Sequence, residues 1–234
     1  MVAGLVGTVA GLASLVSYPA LLAAGLGPVP ANVTNTVALL GNAAGGLNAS
    51  RPELAGQGDR LRRLALPTAL GGAAGGALLL LTPPGAFERI VPWLIGLASL
   101  AVLLRRPPGE SPHPPAGGPR LWWGVLAVGG YGGYFGAAAG VVLLALVLWA
   151  TGEGVARASA LRLALMLLAN LVAALAFAVA GPVHWPAALA MGTGCAAGGR
   201  LGPVVLRHAP DGALRAGIAL TGLALAVHLG LRAY

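Results

Sequence analysis

Residues 121–150, LWWGVLAVGGYGGYFGAAAGVVLLALVLWA, form an uncharged apolar run interrupted in its middle by Gly129, Gly130, Gly132, Gly133 and Gly136. A membrane-spanning helix needs about 20 apolar residues and two need about 40, and this run fits neither count. As one straight helix it would be roughly 45 Å long at 1.5 Å per residue, against a hydrocarbon core of about 30 Å. The glycine cluster predicts a break, with the chain turning inside the membrane and returning to the side it came from. Irregular backbone survives at that depth only where protein buries it or where it lines a polar cavity. The break is therefore a candidate binding site.

The remaining sequence supports a membrane setting. Of 234 residues, 57% are hydrophobic and only 9% charged, and the 38 Gly and 18 Pro punctuate long Leu, Ala and Val runs. This composition predicts an all-α polytopic membrane protein, because small residues let helices pack closely in lipid. The net charge of +8 comes from arginine alone. Those arginines sit in short loops without interleaved aromatic residues, so the charge reads as membrane orientation and excludes a nucleic-acid partner. A lone cysteine, Cys195, excludes an internal disulfide and every multi-cysteine metal site. No metal or cofactor is expected. The N-terminus MVAGLVGTVAG lacks a basic region and reads as a retained span, not a signal peptide.

Taken in order, residues 2–26 are a first apolar run with Gly4, Gly7, Gly11, Ser14, Ser17 and Pro19, ended by Gly25, Gly27, Pro28 and Pro30. A helix over residues 31–50 carries many polar residues and leads to a hydrophilic loop, 51–63. Spans 64–81 and 90–104 are joined by a turn over 82–89. A proline-rich linker, 105–120, divides the chain into a first repeat, 1–104, and a second, 121–234. The second half continues from its broken run through a turn at 151–156, a helix over 157–180, a turn at 181–185, a span over 186–206, a basic loop at 207–212 and a last span over 213–231.

The halves match at an offset of 123 to 127 positions: Ala73-Ala74-Gly75-Gly76 recurs as Ala196-Ala197-Gly198-Gly199, and Gly96-Leu97-Ala98 as Gly222-Leu223-Ala224. Each repeat then holds one broken glycine-rich run and three ordinary spans. Loop 51–63 is basic and the turn at 82–89 neutral, whereas in the second half the turn at 181–185 lacks Lys and Arg and the region of Arg200, Arg207 and Arg215 is basic. Basic loops favour the cytoplasm. If each broken run crossed the membrane, the repeats would be parallel and the basic loops would face opposite sides. If each returns as a hairpin, the repeats are inverted, every basic loop and the linker are cytoplasmic, and both termini lie outside. The reading favours the inverted arrangement.

The first repeat reads GLVGTVAGLASLVSYPALLAAGLGPVPANVTNTVALLGN and the second GGYGGYFGAAAGVVLLALVLWATGEGVARASALRLALMLLAN. Their order of a glycine-rich opening, a leucine-rich run and an Ala-x-x-Thr segment, best matched in ANVTN, resembles the TauE/SafE family of membrane transporters, the sulfite-exporter and toluene-sulfonate-permease group. The family's glycine triplet is reduced here to Gly11-Leu12-Ala13-Ser14 and Gly136-Ala137-Ala138-Ala139. The resemblance implies a multi-pass permease of a prokaryotic inner membrane that moves a small oxyanion such as sulfite or a sulfonate.

Candidate substrate-binding residues follow from polar groups on helix faces. Arg162 shares a face with Asn170 and Ser159. An arginine inside a membrane usually marks a pathway or counter-ion, although one near a helix end can also snorkel to the surface. In the first half, Asn35 and Asn42 share a face, with Asn32 a turn earlier and Thr34 beside it; interhelical hydrogen bonding is the plainer role for such groups. Half-helices beginning at the breaks would aim N–H groups at an anion. Tyr131 and Tyr134 flank the second break, as hydroxyl donors or as packing against the glycines. Every acidic residue, Glu53, Asp59, Glu88, Glu110, Glu153 and Asp211, lies in a loop or at a span end, so no membrane-buried carboxylate suggests itself as a proton carrier. The expected function is an alternating-access permease for a small anion, whose partners are that anion and the lipid bilayer; a homodimer is compatible. The alternatives are a channel or a non-transporting scaffold. The main rival of another class, an intramembrane enzyme, lacks support in the sequence, which has no HExxH, GxSxG or CxxC motif and no Ser/His pair within a span.

Overall fold

The computed structural model describes residues 1–104 and 118–206, together with 220, 223–224 and 226–231. All its elements are helices: α1 (Val2–Ala10), α2 (Ala13–Ala23), α3 (Pro28–Ala49), α4 (Arg51–Leu54), α5 (Gly58–Leu81), α6 (Pro84–Leu104), α7 (Pro119–Tyr134), α8 (Ala139–Thr151), α9 (Val155–Ala180) and α10 (Trp185–Leu206). Residues 223–224 and 226–231 are helical as well. Most of the expected linker, the basic loop at 207–212 and much of the last expected span lie outside the described residues. By length and composition, α5 and α9 are the two helices among the described residues that could cross a membrane. The polar residues Asn32, Thr34, Asn35, Thr36 and Asn42 of the 22-residue α3 are all buried in the protein.

Both long runs are broken. The first breaks at Gly11 and Leu12, where Gly11 takes a left-handed conformation with φ 76°. The second breaks later than the centre of its glycine cluster: α7 runs unbroken through Gly129, Gly130, Gly132 and Gly133, and the turn is made at residues 135–138 with Gly136 at φ 72° and Ala138 at φ 57°. A left-handed alanine costs about 1–2 kcal/mol, so the turn holds strain at a non-glycine position. After it, α8 folds back along α7. A Cβ on Gly124, near the start of α7, would lie 2.8 Å from the side chain of Leu146, near the end of α8. Leu121, Val125 and Val128 share one core with Leu143, Leu144 and Val147.

Gly129, Gly130 and Gly133 of α7 serve a different purpose from breaking the chain. A Cβ on Gly71 or Gly75 of α5 would overlap the carbonyl oxygen of Leu126 or Gly130, and one on Gly133 would overlap that of Gly72. The same contact recurs between α10 and α1, where a Cβ on Gly198 of α10 would overlap the carbonyl of Met1, and one on Gly4 the backbone of Cys195. Cys195 is buried there as a packing residue. The second glycine of each Ala-Ala-Gly-Gly motif faces another helix: Gly76 meets Ala173 of α9, and Gly199 meets Asn42 of α3. Small residues at these sites bring α5 onto α7 and α10 onto α1 at backbone contact distance.

The ends of the bundle are clear from side-chain contacts. Gly118, Pro119 and Trp122 at the start of α7 border one cavity with Ala150 and Thr151 at the end of α8 and with Arg60 and Arg63. At this end Arg60 pairs with Glu153 at 2.9 Å, Arg157 with Glu153 at 2.7 Å, and Gln57 Nε2 donates to the Arg157 carbonyl at 2.9 Å. The hydrogen bonds from Arg60 and Arg157 hold the Glu153 carboxyl below the usual range. At the opposite end, Pro28, Leu26 and Glu88 border a second cavity, and the His184 N–H donates to Thr34 Oγ1 at 2.9 Å.

Several boundaries differ from the sequence reading. Pro28 and Pro30 begin α3 instead of ending the helix before it, because the first turn of a helix has N–H groups without intrahelical partners and tolerates proline. The hydrophilic stretch 51–63 is largely helical, as α4 and the first turns of α5, and the turn at 82–89 shrinks to Thr82 and Pro83 because Pro84 opens α6. Pro119 and Arg120 belong to α7, Thr151 ends α8, and Val155 already starts α9.

Gly75→Ala and Gly198→Ala should each lower the melting temperature in detergent strongly, because neither backbone contact can yield without separating two helices. Gly85→Ala, which has open space around it, should leave stability within about 1 kcal/mol of the parent.

Candidate functional site

The two breaks meet. A Cβ on Gly140, in the first turn of α8, would lie 3.0 Å from Gly11 Cα, and one on Gly11 would collide with Arg162 Nη1. Helices α2 and α8 therefore begin at a common point, each with a start, Leu12 or Ala138, that makes no side-chain capping bond. Both starts carry the positive end of a helix dipole, and the turn hydrogen bonds of Leu15 to the Leu12 carbonyl and of Ala139 and Val141 to the Gly136 and Ala138 carbonyls hold them in place. A cavity of about 50 Å³ lies here, bordered by Gly11, Ser14, Asn42, Gly140, Arg162 and Asn170.

Arg162 is 1% exposed. Its burial overturns the snorkelling alternative. Nη2 donates to the Thr8 carbonyl at 2.7 Å and to Ser159 Oγ at 3.1 Å. The Thr8 carbonyl belongs to the last turn of α1, where carbonyls lack partners and the dipole is negative, so the guanidinium caps that helix. Asn32 does the corresponding work on α7, its Nδ2 donating to the Tyr134 carbonyl at 2.8 Å.

The remaining expected residues divide between cavity and scaffold. Asn42 and Asn170 border the cavity with Arg162, and Asn42 Oδ1 accepts from Thr8 Oγ1 at 3.1 Å. Ser159 orients Arg162. Asn35 does not border this cavity: its amide donates to Ser14 Oγ at 3.4 Å and accepts from Ser17 Oγ, tying α2 to α3. Thr34 accepts from His184 on another face. The Tyr131 hydroxyl donates to the Ala137 carbonyl at 2.7 Å and braces the second break. Tyr134 packs edge-on against Phe87, with ring centroids 5.8 Å apart. The sequence reading missed Thr8, Ser14, Thr36 and Gly140 as site residues. Thr8 and Ser14 were signalled by their places just before and just after the first break.

Paired broken helices whose uncapped starts converge on a buried cation, within a helical bundle, define a membrane transporter. Residues 1–229 match the family described as "Sulfite exporter TauE/SafE". The chain belongs to this family. It is 29% identical over 213 residues, 86% of this chain and 76% of the relative, to the "Probable membrane transporter protein YfcA" of Escherichia coli K12. It is 26% identical over 231 residues, 97% of this chain and 88% of the relative, to the "Probable membrane transporter protein ORF9" of a Sinorhizobium species. No solved structure matches it. The family and these relatives are membrane transporters and not enzymes.

Asn35→Ala leaves Ser14 and Ser17 without their amide partner and should cost about 1–3 kcal/mol of stability, read as a lower melting temperature in detergent. Asn170→Ala, at the cavity wall, should change stability by less than about 1 kcal/mol.

Proposed function

We propose that the protein carries a small sulfur oxyanion, such as sulfite or an organic sulfonate, across the membrane by alternating access between two inverted repeats. The observation that carries this reading is the buried Arg162 guanidinium beside the uncapped starts of α2 and α8. Arginine offers a planar fork of donors to an oxyanion, and charge-assisted hydrogen bonds are the strong ones. The helix starts add N–H groups suited to the same ligand. Asn42 and Asn170 supply donors without adding charge, which permits release. The description of the matching family, a sulfite exporter, supports sulfur as the central atom.

The contacts that pair α5 with α7 and α10 with α1 support the repeat. So does the gathering of residues 51–63, the start of α7, the end of α8 and the start of α9 at one end of the bundle. With basic loops inside, α7 and α8 form a hairpin that enters from the cytoplasm and returns to it, and residues 181–185 lie outside. A cysteine at Val183 should react with a membrane-impermeant reagent applied to intact cells, and one at Ala55 should not. The reverse pattern would discard the inverted topology.

Purified protein in proteoliposomes should take up radiolabelled sulfite with saturation. Arg162→Gln should lower that uptake about tenfold or more, the equivalent of one charge-assisted hydrogen bond of roughly 1.5–3 kcal/mol. Arg157→Gln, at the exposed end of α9, should leave most of it. Flux that never saturates would identify a channel, and no flux for sulfite, thiosulfate or sulfoacetate would identify a scaffold.

A further inference from the structure

The Arg162 cavity has a larger neighbour. A second cavity of about 510 Å³ opens at the end of the bundle that holds the α2–α3 turn, and Tyr18, Leu22, Leu26, Pro28, Glu88 and His228 border it. Glu88 and His228 are exposed at its mouth. Two rings stand between the cavities. Phe135 borders the inner one and Tyr18 the outer one, and their centroids lie 5.2 Å apart in an edge-on pair at 83°. Both are buried, at 3% and 1% exposure. Phe87, from the first turns of α6, packs on Phe135 at 6.1 Å.

We infer that Tyr18 and Phe135 are the gate between the outer vestibule and the Arg162 cavity, and that the Tyr18 hydroxyl is a station for the anion in transit; this rests on the anion-transport reading above. Three observations carry it. The pair occupies the partition between two cavities, a place where packing alone has no need of two movable rings. The Tyr18 hydroxyl is buried with no hydrogen-bond partner among the described residues, and a ring with only a packing role would be better served by phenylalanine. Both rings are mounted on backbone that can shift without unwinding a helix. Pro19 follows Tyr18 inside α2 and removes the bond to the Leu15 carbonyl. Phe135 belongs to the irregular turn that includes Gly136 and the left-handed Ala138, and hinges are built from such positions.

Cysteine accessibility tests the gate apart from the substrate. Ser14→Cys reports on the inner cavity and Leu26→Cys on the vestibule, with an impermeant methanethiosulfonate applied to right-side-out and to inverted vesicles. The parent chain, whose Cys195 is buried, gives the blank. Leu26→Cys should label from one face at the same rate with or without Phe135→Ala, which also shows that the variant is folded; Phe135→Leu serves if it is not. From that face, Ser14→Cys should label about tenfold faster or more once Phe135 is shortened, as expected for a barrier shifted to its open state. Tyr18→Phe should keep Ser14→Cys protected while lowering sulfite uptake about threefold or more, the effect of one lost hydrogen bond. Unchanged labelling of Ser14→Cys beside a labelled Leu26→Cys overturns the gate, as does a Leu26→Cys that labels from neither face. Unchanged uptake in Tyr18→Phe overturns the role of the hydroxyl. If native protein takes up no sulfite while the labelling behaves as expected, the gate stands and the substrate reading falls.

Discussion

Backbone contact between helices at glycine is the constraint from which the rest of this molecule follows. Lipid offers no hydrophobic drive to bring helices together, so they associate through van der Waals packing and hydrogen bonds, and both need close approach. Lipid also offers no water to a broken helix, so each break must be buried in protein. The Ala-Ala-Gly-Gly motifs of α5 and α10 meet both needs. They let α7 and α1 settle onto neighbours with carbonyl oxygens where side chains would otherwise stand. The breaks at Gly11 and at residues 135–138 are then held inside the bundle, where side chains can satisfy their loose backbone groups.

Those groups explain how Arg162 is tolerated. A charged side chain deep in a membrane costs about 2.5–3.5 kcal/mol on insertion scales. The break that creates the cavity also leaves the Thr8 carbonyl without an intrahelical partner, and the guanidinium donates to it at 2.7 Å. Each therefore offsets the cost of the other. In the other half, the carbonyl that ends α7 is satisfied by the neutral Asn32, so the two breaks are stabilised by the same logic with only one charge between them.

Much of this was legible in the sequence, and what was not has a physical cause. The misfit between a 30-residue apolar run and the bilayer thickness pointed to the second break, and the spacing of polar residues marked α3 and α9, both of which border the Arg162 cavity. The exact turn was hidden because glycine does two jobs, taking positive φ and permitting close approach, and composition does not separate them. Gly129 and Gly133 stand four apart on one helix face, the spacing of a packing surface, whereas Gly136 alone takes the left-handed conformation. Asn35 and Asn42 share a face by periodicity, yet Asn35 meets serines of α2 while Asn42 meets Thr8 and the cavity. A face extends along the whole helix, and which neighbour lies opposite each turn is a tertiary fact that one helix does not encode.

On the anion-carrier reading proposed above, the charge balance of the cavity bears on why a single arginine would be enough. Each helix start supplies the equivalent of about half a positive charge, so α2 and α8 together approximate one unit and Arg162 a second. The end of α1, at about minus one half, draws on the guanidinium through Thr8. The sum falls between one and two positive charges, close to that of a sulfonate or a sulfite ion. An excess would hold the anion too tightly to release it, since a site must bind well enough to fill and weakly enough to empty. A lysine or a second arginine in place of Asn42, which borders the cavity, would raise the sum to about two and a half and add another desolvation cost. Helix starts have the further advantage that their contribution is tied to backbone position. On that reading, a shift of α2 and α8 relative to α9 would part the donors from Arg162 and weaken the attraction, so the motion that opens the site would also loosen its hold.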